Sequence, residues 1–404
     1  MTSPRGVLGC ALVIAGLLSA LPGAAADFAV GPETQVVGQV QSYVVQQGDN
    51  LADIARKFDI GYTEMLAANP AVAPWTPPVG KTLLIPSVYI LPDGPRKGIV
   101  INLGERRLYY FPRNGAMQTY PIGIGAIGFD TPHSTTTVVK KEPNPVWIPP
   151  PSIHEENPDV PDRVGPGPDN PLGDFALRLG WKNYLIHGTN KPDGVGRNVS
   201  HGCIHLYPED IEKLFNAVAL GTPVRVIDQP SAAAWIQTGL YVEVHPSKDQ
   251  ADEIDTETAM TPDPPAGLRD IVNAAAGDAA QAVDWNAVDQ AGMRRSGLPI
   301  EVAMRAPGAP VASSAAPSDT SAPPGPPLFA PETASAPTPI FGTLQLPPGA
   351  GAPQDLVGNG FTPPATGYAP PPSRDDDAAT APEIPADQDV HDLQDLRRGS
   401  NGSR

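Results

Sequence analysis

The sequence predicts a mainly β domain, sandwich- or barrel-like, with a small α+β module of strand–helix–helix–strand order before it and a disordered proline-rich tail after it. Three observations carry this. Short β-type runs punctuated by Gly and Pro fill residues 97–246, a compact mixed pattern occupies 42–86, and 20 of the 99 residues from Ala306 onward are proline. The chain has 404 residues with 52 Pro and 40 Gly, a composition that excludes one uniformly packed globule. A formal net charge of −17 excludes nucleic acid as a partner on electrostatic grounds.

The first element is a signal peptide over 1–26. Arg5 precedes an apolar run from Val7 to Leu21, and Ala24-Ala25-Ala26 offers a small-residue cleavage site before Asp27. Secretion to the periplasm or cell envelope follows, with no integral membrane segment after cleavage, because no second apolar stretch reaches spanning length. Cleavage also removes Cys10, so Cys203 is the one cysteine of the mature chain and no intrachain disulfide can use it.

In the 42–86 module, Val44-Val45 starts a strand and Gly48-Asp49-Asn50 supplies a turn and a helix cap. Leu51, Ile54, Ala55 and Phe58 recur at helical spacing, and a second helix is expected from Thr63 as cap to Asn69-Pro70, where proline disfavours further helix. Lys81–Ile85 returns as a strand. The Pro- and Gly-containing joint at 86–95 predicts two modules that act separately.

Within 97–246, Gly98–Leu103 and Arg107–Phe111 flank a Gly104-Glu105 turn and read as a hairpin. Further short strands are expected at 119–124, 135–139, 184–186, 224–227 and 240–244, with one helix opening at Pro208, facing inward through Ile211, Leu214, Phe215 and Val218, and ending at Gly221. The polar, proline-dense stretch 142–171 is too long for an ordinary connection and is expected to cover substrate. Residues 247–305 read as a weakly helical extension. The tail, 306–404, has eleven acidic and four basic residues and too little apolar surface to order itself.

The chemistry concentrates at 187–205. Cys203 follows His187 by 16 residues, and a polar Gly-containing loop between them can bring the chain back alongside itself. A thiol needs a base or cationic neighbour to populate thiolate near neutral pH, which His187 or His201 can provide. Gly202 beside it lets the backbone approach a substrate carbonyl, so the N–H groups of Gly202 and Cys203 are candidate oxyanion donors. Two other readings remain at this point: an inert buried thiol, and zinc held by His187, His201, Cys203 and His205, whose spacing lacks the paired pattern of structural zinc sites.

Two resemblances follow from these residues. Tyr43-Val44-Val45, Gly48-Asp49-Asn50-Leu51, Ile54-Ala55, Asn69-Pro70 and Gly80–Pro86 resemble a LysM module, which implies binding of peptidoglycan glycan strands. Ile186–Asn190 with Ser200-His201-Gly202-Cys203-Ile204 resembles the L,D-transpeptidase catalytic family of the YkuD type. The likeness extends to Val146–Pro150, Gly167–Gly173, Leu177–Gly180, Gly221–Val224 and Tyr241–His245.

The second resemblance implies Cys203 as nucleophile, His187 as general base, and His201, Gly202 and Ser200 as the loop that holds the thiol and its oxyanion site. Gly188, Asn190 and His205 are expected to contact substrate. The implied substrate is a peptidoglycan stem tetrapeptide, cut between the L-centre of meso-diaminopimelate and D-Ala, with a second diaminopimelate or a protein lysine as acceptor. No cofactor or metal is implied. A hydrolase of the same fold and a non-catalytic wall-binding protein are the alternatives. Two positions depart from the family pattern: His205 stands where arginine is usual, and Ser134 stands where Thr-Pro-x-Gly has glycine.

Overall fold

The computed structural model describes residues 27–305 apart from 114 and 150, so the expected signal peptide and the expected tail lie outside the described residues. Among the described residues, no helix is long and apolar enough to cross a membrane.

The chain opens with β1 (Phe28–Ala29), β2 (Val36–Gly38) and β3 (Gln41–Val44). Helix α1 (Leu51–Lys57) starts where Asn50 Oδ1 accepts the Asp53 N–H at 2.8 Å, and it buries Leu51, Ile54 and Ala55. Helix α2 (Tyr62–Ala68) is capped by Gly61 and not by Thr63 as expected. Glu64 reaches back to the Gly61 N–H at 3.2 Å, and the Tyr62 N–H finds an acceptor outside the module, Val195 O at 3.0 Å. Thr63, inside the first turn, is buried with its hydroxyl on Asp255. The stop at Asn69-Pro70 has a second cause besides proline. The Asn69 amide donates to Leu84 O and accepts the Leu84 N–H, both at 2.8 Å, clasping β4 (Thr82–Ile85), which pairs antiparallel with β3.

Of the joint expected at 86–95, residues 88–92 are instead buried, while Asp93, Gly94 and Pro95 are exposed. Val88 to Leu91 are all buried, and β5 (Val88–Ile90) pairs with β2. The reason lies in the hairpin β6 (Gly98–Asn102) and β7 (Arg107–Phe111), every residue of which is buried. Strand residues alternate faces: Ile99, Ile101, Leu108 and Tyr110 join one core, while Val100, Tyr109 and Phe111 join the core of the N-terminal module with Leu51, Ile54 and Met65. The two modules share one sheet as a wall.

That sheet has nine strands in the order β1-β8-β7-β6-β15-β10-β11-β12-β14, with β8 (Ala116–Pro121), β10 (Thr135–Pro143), β11 (Phe175–Leu179), β12 (Leu185–His187), β14 (Ile204–His205) and β15 (Pro223–Ile227). The short strands β9 (Ile124–Gly125) and β13 (Asn198–Ser200) pair parallel beside it. Two joints in the sheet are parallel, β6 with β15 and β12 with β14. The segment after β10 folds on itself, with helix α3 (Pro151–Glu156), a bridge between Trp147 and Val164, and a small core of Trp147, Ile153 and Leu172. Helix α4 (Pro208–Ala217) packs Ile211 and Leu214 into the main core.

The remaining chain forms β16 (Ser231–Ile236), β17 (Gly239–Val244), α5 (Lys248–Asp255), α6 (Leu268–Ala276), α7 (Trp285–Arg294) and β18 (Ile300–Met304). Strands β16, β17 and β18 make one antiparallel sheet whose core takes in residues of α6 and α7. It straddles residue 246, because the apolar face of β16–β17 is covered by helices that come later in the chain.

Candidate active site

Strands β11, β12 and β14 lie side by side. Their register sets Leu177, Ile186 and Ile204 in one row and Ala176, His187 and His205 in the next. Leu177, Ile186 and Ile204 point into the main core, so His187 and His205 occupy the opposite face. One step back, Cys203 clusters with Leu185 and Ala176 on that same face and is 1% exposed. The thiol and the imidazole are therefore brought to one face of neighbouring parallel strands, joined by the crossover 188–203.

His187 is fully buried, and its Nδ1 lies 2.5 Å from Gly188 O. A carbonyl only accepts, so Nδ1 carries the proton and the neutral ring keeps its lone pair on Nε2. Gly188 is pinned in turn. Its N–H bonds Phe175 O at 3.1 Å, and a Cβ there would meet Ile211 Cγ2 at 3.0 Å. Asn190 is part-exposed and donates to Asp169 O at 3.1 Å, tying this strand end to the long folded segment.

The turn before Cys203 is fixed from inside. Ser200 is fully buried; its Oγ donates to Cys203 O at 2.6 Å and accepts the Gly202 N–H at 3.2 Å. The Gly202 N–H is thus directed at Ser200 and not at a substrate, which corrects its expected role as an oxyanion donor. Gly202 has φ +102°, a conformation open to glycine, and its carbonyl accepts from Thr131 Oγ1 at 2.8 Å. His201 is buried with its ring 4.1 Å from that of Phe129. Sequence reasoning did not single out Phe129 or Asn183, whose carbonyl lies 3.8 Å from Cys203 Sγ. Neither carries a local signal, since each acts through a loop from another part of the chain.

His205 is 2% exposed, which alters its expected part. Nε2 donates to Gly194 O at 3.1 Å, and the ring fills the space over Gly123, where a Cβ would lie 1.7 Å from that nitrogen. A ring so enclosed holds its own loop rather than a substrate carboxylate. Its centroid is 6.1 Å from that of His187. The second departure carries no cost: Ser134 is exposed and is not among the residues with positive φ, so glycine's freedom is not required there.

Metal-ligand side chains converge elsewhere. Among the described residues, Glu105, Glu243 and His245 bring ligand atoms within 4.8 Å of one another, all buried. Burial pushes the Glu105 carboxyl up to about 7, with the Glu243 charge adding to it against the pull of His245. Near the start of α4, burial also raises Asp59 well above the carboxylate range, and the adjacent Asp210 reinforces it.

Residues 96–226 match the family described as L,D-transpeptidase catalytic domain (YkuD), and residues 43–86 match the LysM domain. "Probable L,D-transpeptidase YcfS" of Escherichia coli K12 is 40% identical over 260 residues, 61% of this chain and 81% of that protein. "Probable L,D-transpeptidase ErfK/SrfK" of the same organism is 38% identical over 292 residues, 69% and 91% of the two chains. "Probable L,D-transpeptidase YbiS", also from that strain, is 38% identical over 279 residues, 67% and 89%.

Proposed function

This chain belongs to the L,D-transpeptidase family, and from that premise we propose that it acts on peptidoglycan stem tetrapeptides through a thioester on Cys203. The observation that carries the reading is the shared face of Cys203 and His187, with His187 Nδ1 held by Gly188 O so that Nε2 is the basic nitrogen.

In this mechanism His187 takes the thiol proton and Cys203 Sγ attacks the carbonyl at the L-centre of meso-diaminopimelate. The tetrahedral adduct collapses, the C–N bond to D-Ala breaks, and the proton held by His187 goes to the departing amine. The thioester is then attacked by an amine, which loses its proton to His187 as the C–S bond breaks and the thiol is regenerated. That amine belongs to a second diaminopimelate, giving a 3→3 cross-link, or to a lysine of an envelope protein. Ser200, His201 and Gly202 hold the turn that presents the thiol. Secretion to the periplasm and retention on glycan strands by the LysM domain complete the reading.

The test is mass spectrometry of sacculi digested after incubation with the protein. Wild type yields 3→3 dimers or muropeptide-linked protein, and Cys203→Ala yields neither while keeping its fold by circular dichroism. Cross-linking by Cys203→Ala would sink the thioester mechanism.

A further inference from the structure

We propose that the N-terminal module is a positioning element of the active site, acting through the seam of Gly61 and Tyr62 against Val195 and Gly196. The inference rests on the assignment of Cys203 and His187 above and goes beyond it: the module that binds wall glycan also holds the reacting groups in place.

The loop 191–197 joins the strand that ends in His187 to the segment that carries Cys203. Its own bonds are local turns, from Gly194 N–H to Lys191 O at 3.1 Å and from Val195 N–H to Pro192 O at 3.0 Å. Anchors from outside fix it: the catalytic domain holds its end, where the Gly196 N–H bonds Ile122 O at 3.1 Å and Arg197 O accepts the Ile124 N–H at 2.9 Å, and two further contacts hold its middle. On its outer side the Tyr62 N–H, an orphan donor at the start of α2, bonds Val195 O at 3.0 Å. The backbones touch there: a Cβ on Gly61 would lie 2.9 Å from Gly196 Cα, and one on Gly196 would lie 2.3 Å from Tyr62 N. The Arg197 guanidinium sits 5.0 Å from the Tyr62 ring centre and pairs with Asp255 at 2.8 Å. On its inner side Gly194 O takes the His205 Nε2–H, and His205 stands level with His187 in the sheet.

The module also grips the chain just past His205. Tyr207 donates its hydroxyl to Ile60 O at 3.0 Å, and Glu209 takes a forked pair from Arg56 at 2.9 and 2.8 Å. The segment 198–206, which contains Cys203, is therefore held by the module at both ends. A loop without such anchors samples many conformations, and a displacement of about 1 Å at a reacting group costs on the order of a hundredfold in rate.

The experiment uses the full chain and a sugar-free tetrapeptide donor, which gives the LysM domain nothing to bind. Gly61→Ala places a methyl in the seam at a φ that alanine accepts, Tyr207→Phe removes one hydroxyl, and Arg269→Ala, on an exposed pair with Asp289, is the control. Gly61→Ala is expected to lower kcat about tenfold with KM changed by less than about threefold, Tyr207→Phe to lower it by less, and both to shift the pH profile of Cys203 alkylation by iodoacetamide. Circular dichroism and thermal melting establish that each variant is folded. Wild-type kcat and wild-type alkylation profiles in both folded seam variants would overturn the proposal. A wild type that turns over no tetrapeptide would refute the substrate reading alone, since the alkylation profile still reads the seam.

Discussion

Glu64 and Arg107 form an ion pair between the N-terminal module and the central hairpin at 3.0 Å, with side chains 6% and 1% exposed. Arg107 also donates to Asp59 O at 3.2 Å, and its guanidinium lies 3.9 Å from the Tyr89 ring centre. Burial, the largest single influence, would lower the Arg107 pKa, but Glu64 together with Tyr89, Tyr109 and Asp59 outweighs it and the net shift is upward. Removing one partner of a buried pair leaves the other charge uncompensated, so Glu64→Ala should cost about 3–5 kcal/mol, a large part of the roughly 5–15 kcal/mol that holds an ordinary domain folded. Glu64→Gln keeps an acceptor for the Gly61 N–H and loses the charge alone, so it should cost about 2 kcal/mol. The double replacement Glu64→Met with Arg107→Met should recover most of the loss, since well-packed apolar pairs often match buried ion pairs. Urea unfolding followed by tryptophan fluorescence and far-UV circular dichroism checks this. The modules share a core, so every variant should show one transition, shifted as a whole. A Glu64→Ala protein within about 1 kcal/mol of wild type, or one in which the module melts early and the rest is unchanged, would refute the reasoning.

Two other outcomes follow from the buried polar groups. Because the folded pKa of Glu105 is raised from 4.5 to about 7, the folded chain binds the extra proton between those values, and stability falls as pH rises through that window and then levels. Glu105→Gln removes the slope and should gain on wild type by up to about 3 kcal/mol between pH 4.5 and 8; urea midpoints differing by a constant across that range would be evidence against it. His205→Arg puts a longer, charged side chain into the slot bounded by Gly123 and Gly194, so it should lower both kcat and the melting temperature, and a lower KM at unchanged stability would return this position to the substrate.

Local pattern determined much of this protein. The β-type runs Gly98–Leu103 and Arg107–Phe111 about the Gly104-Glu105 turn specify a hairpin, helical spacing with Asn50 as cap specifies α1, Asn69-Pro70 ends α2, and the motifs at 186–190 and 200–204 identify the family. Each is a statement about one or two turns of chain, where period and backbone conformation are set by neighbouring residues. Tertiary structure decided what those segments meet. Val100 and Tyr109 read as strand residues in either case, and only the folded chain assigns their face to the core of the N-terminal module. That assignment turns the first half of an apparent linker at 86–95 into a buried strand, Val88–Ile90. The same holds for Gly61 as cap, chosen because Val195 offers an acceptor to the next N–H, and for His205, whose ring is directed by a gap over Gly123 and a carbonyl at Gly194. Periodicity encodes which face of a segment is apolar; what covers a second face, and where a buried ring finds its acceptor, depends on residues far away in the chain, which no local pattern contains.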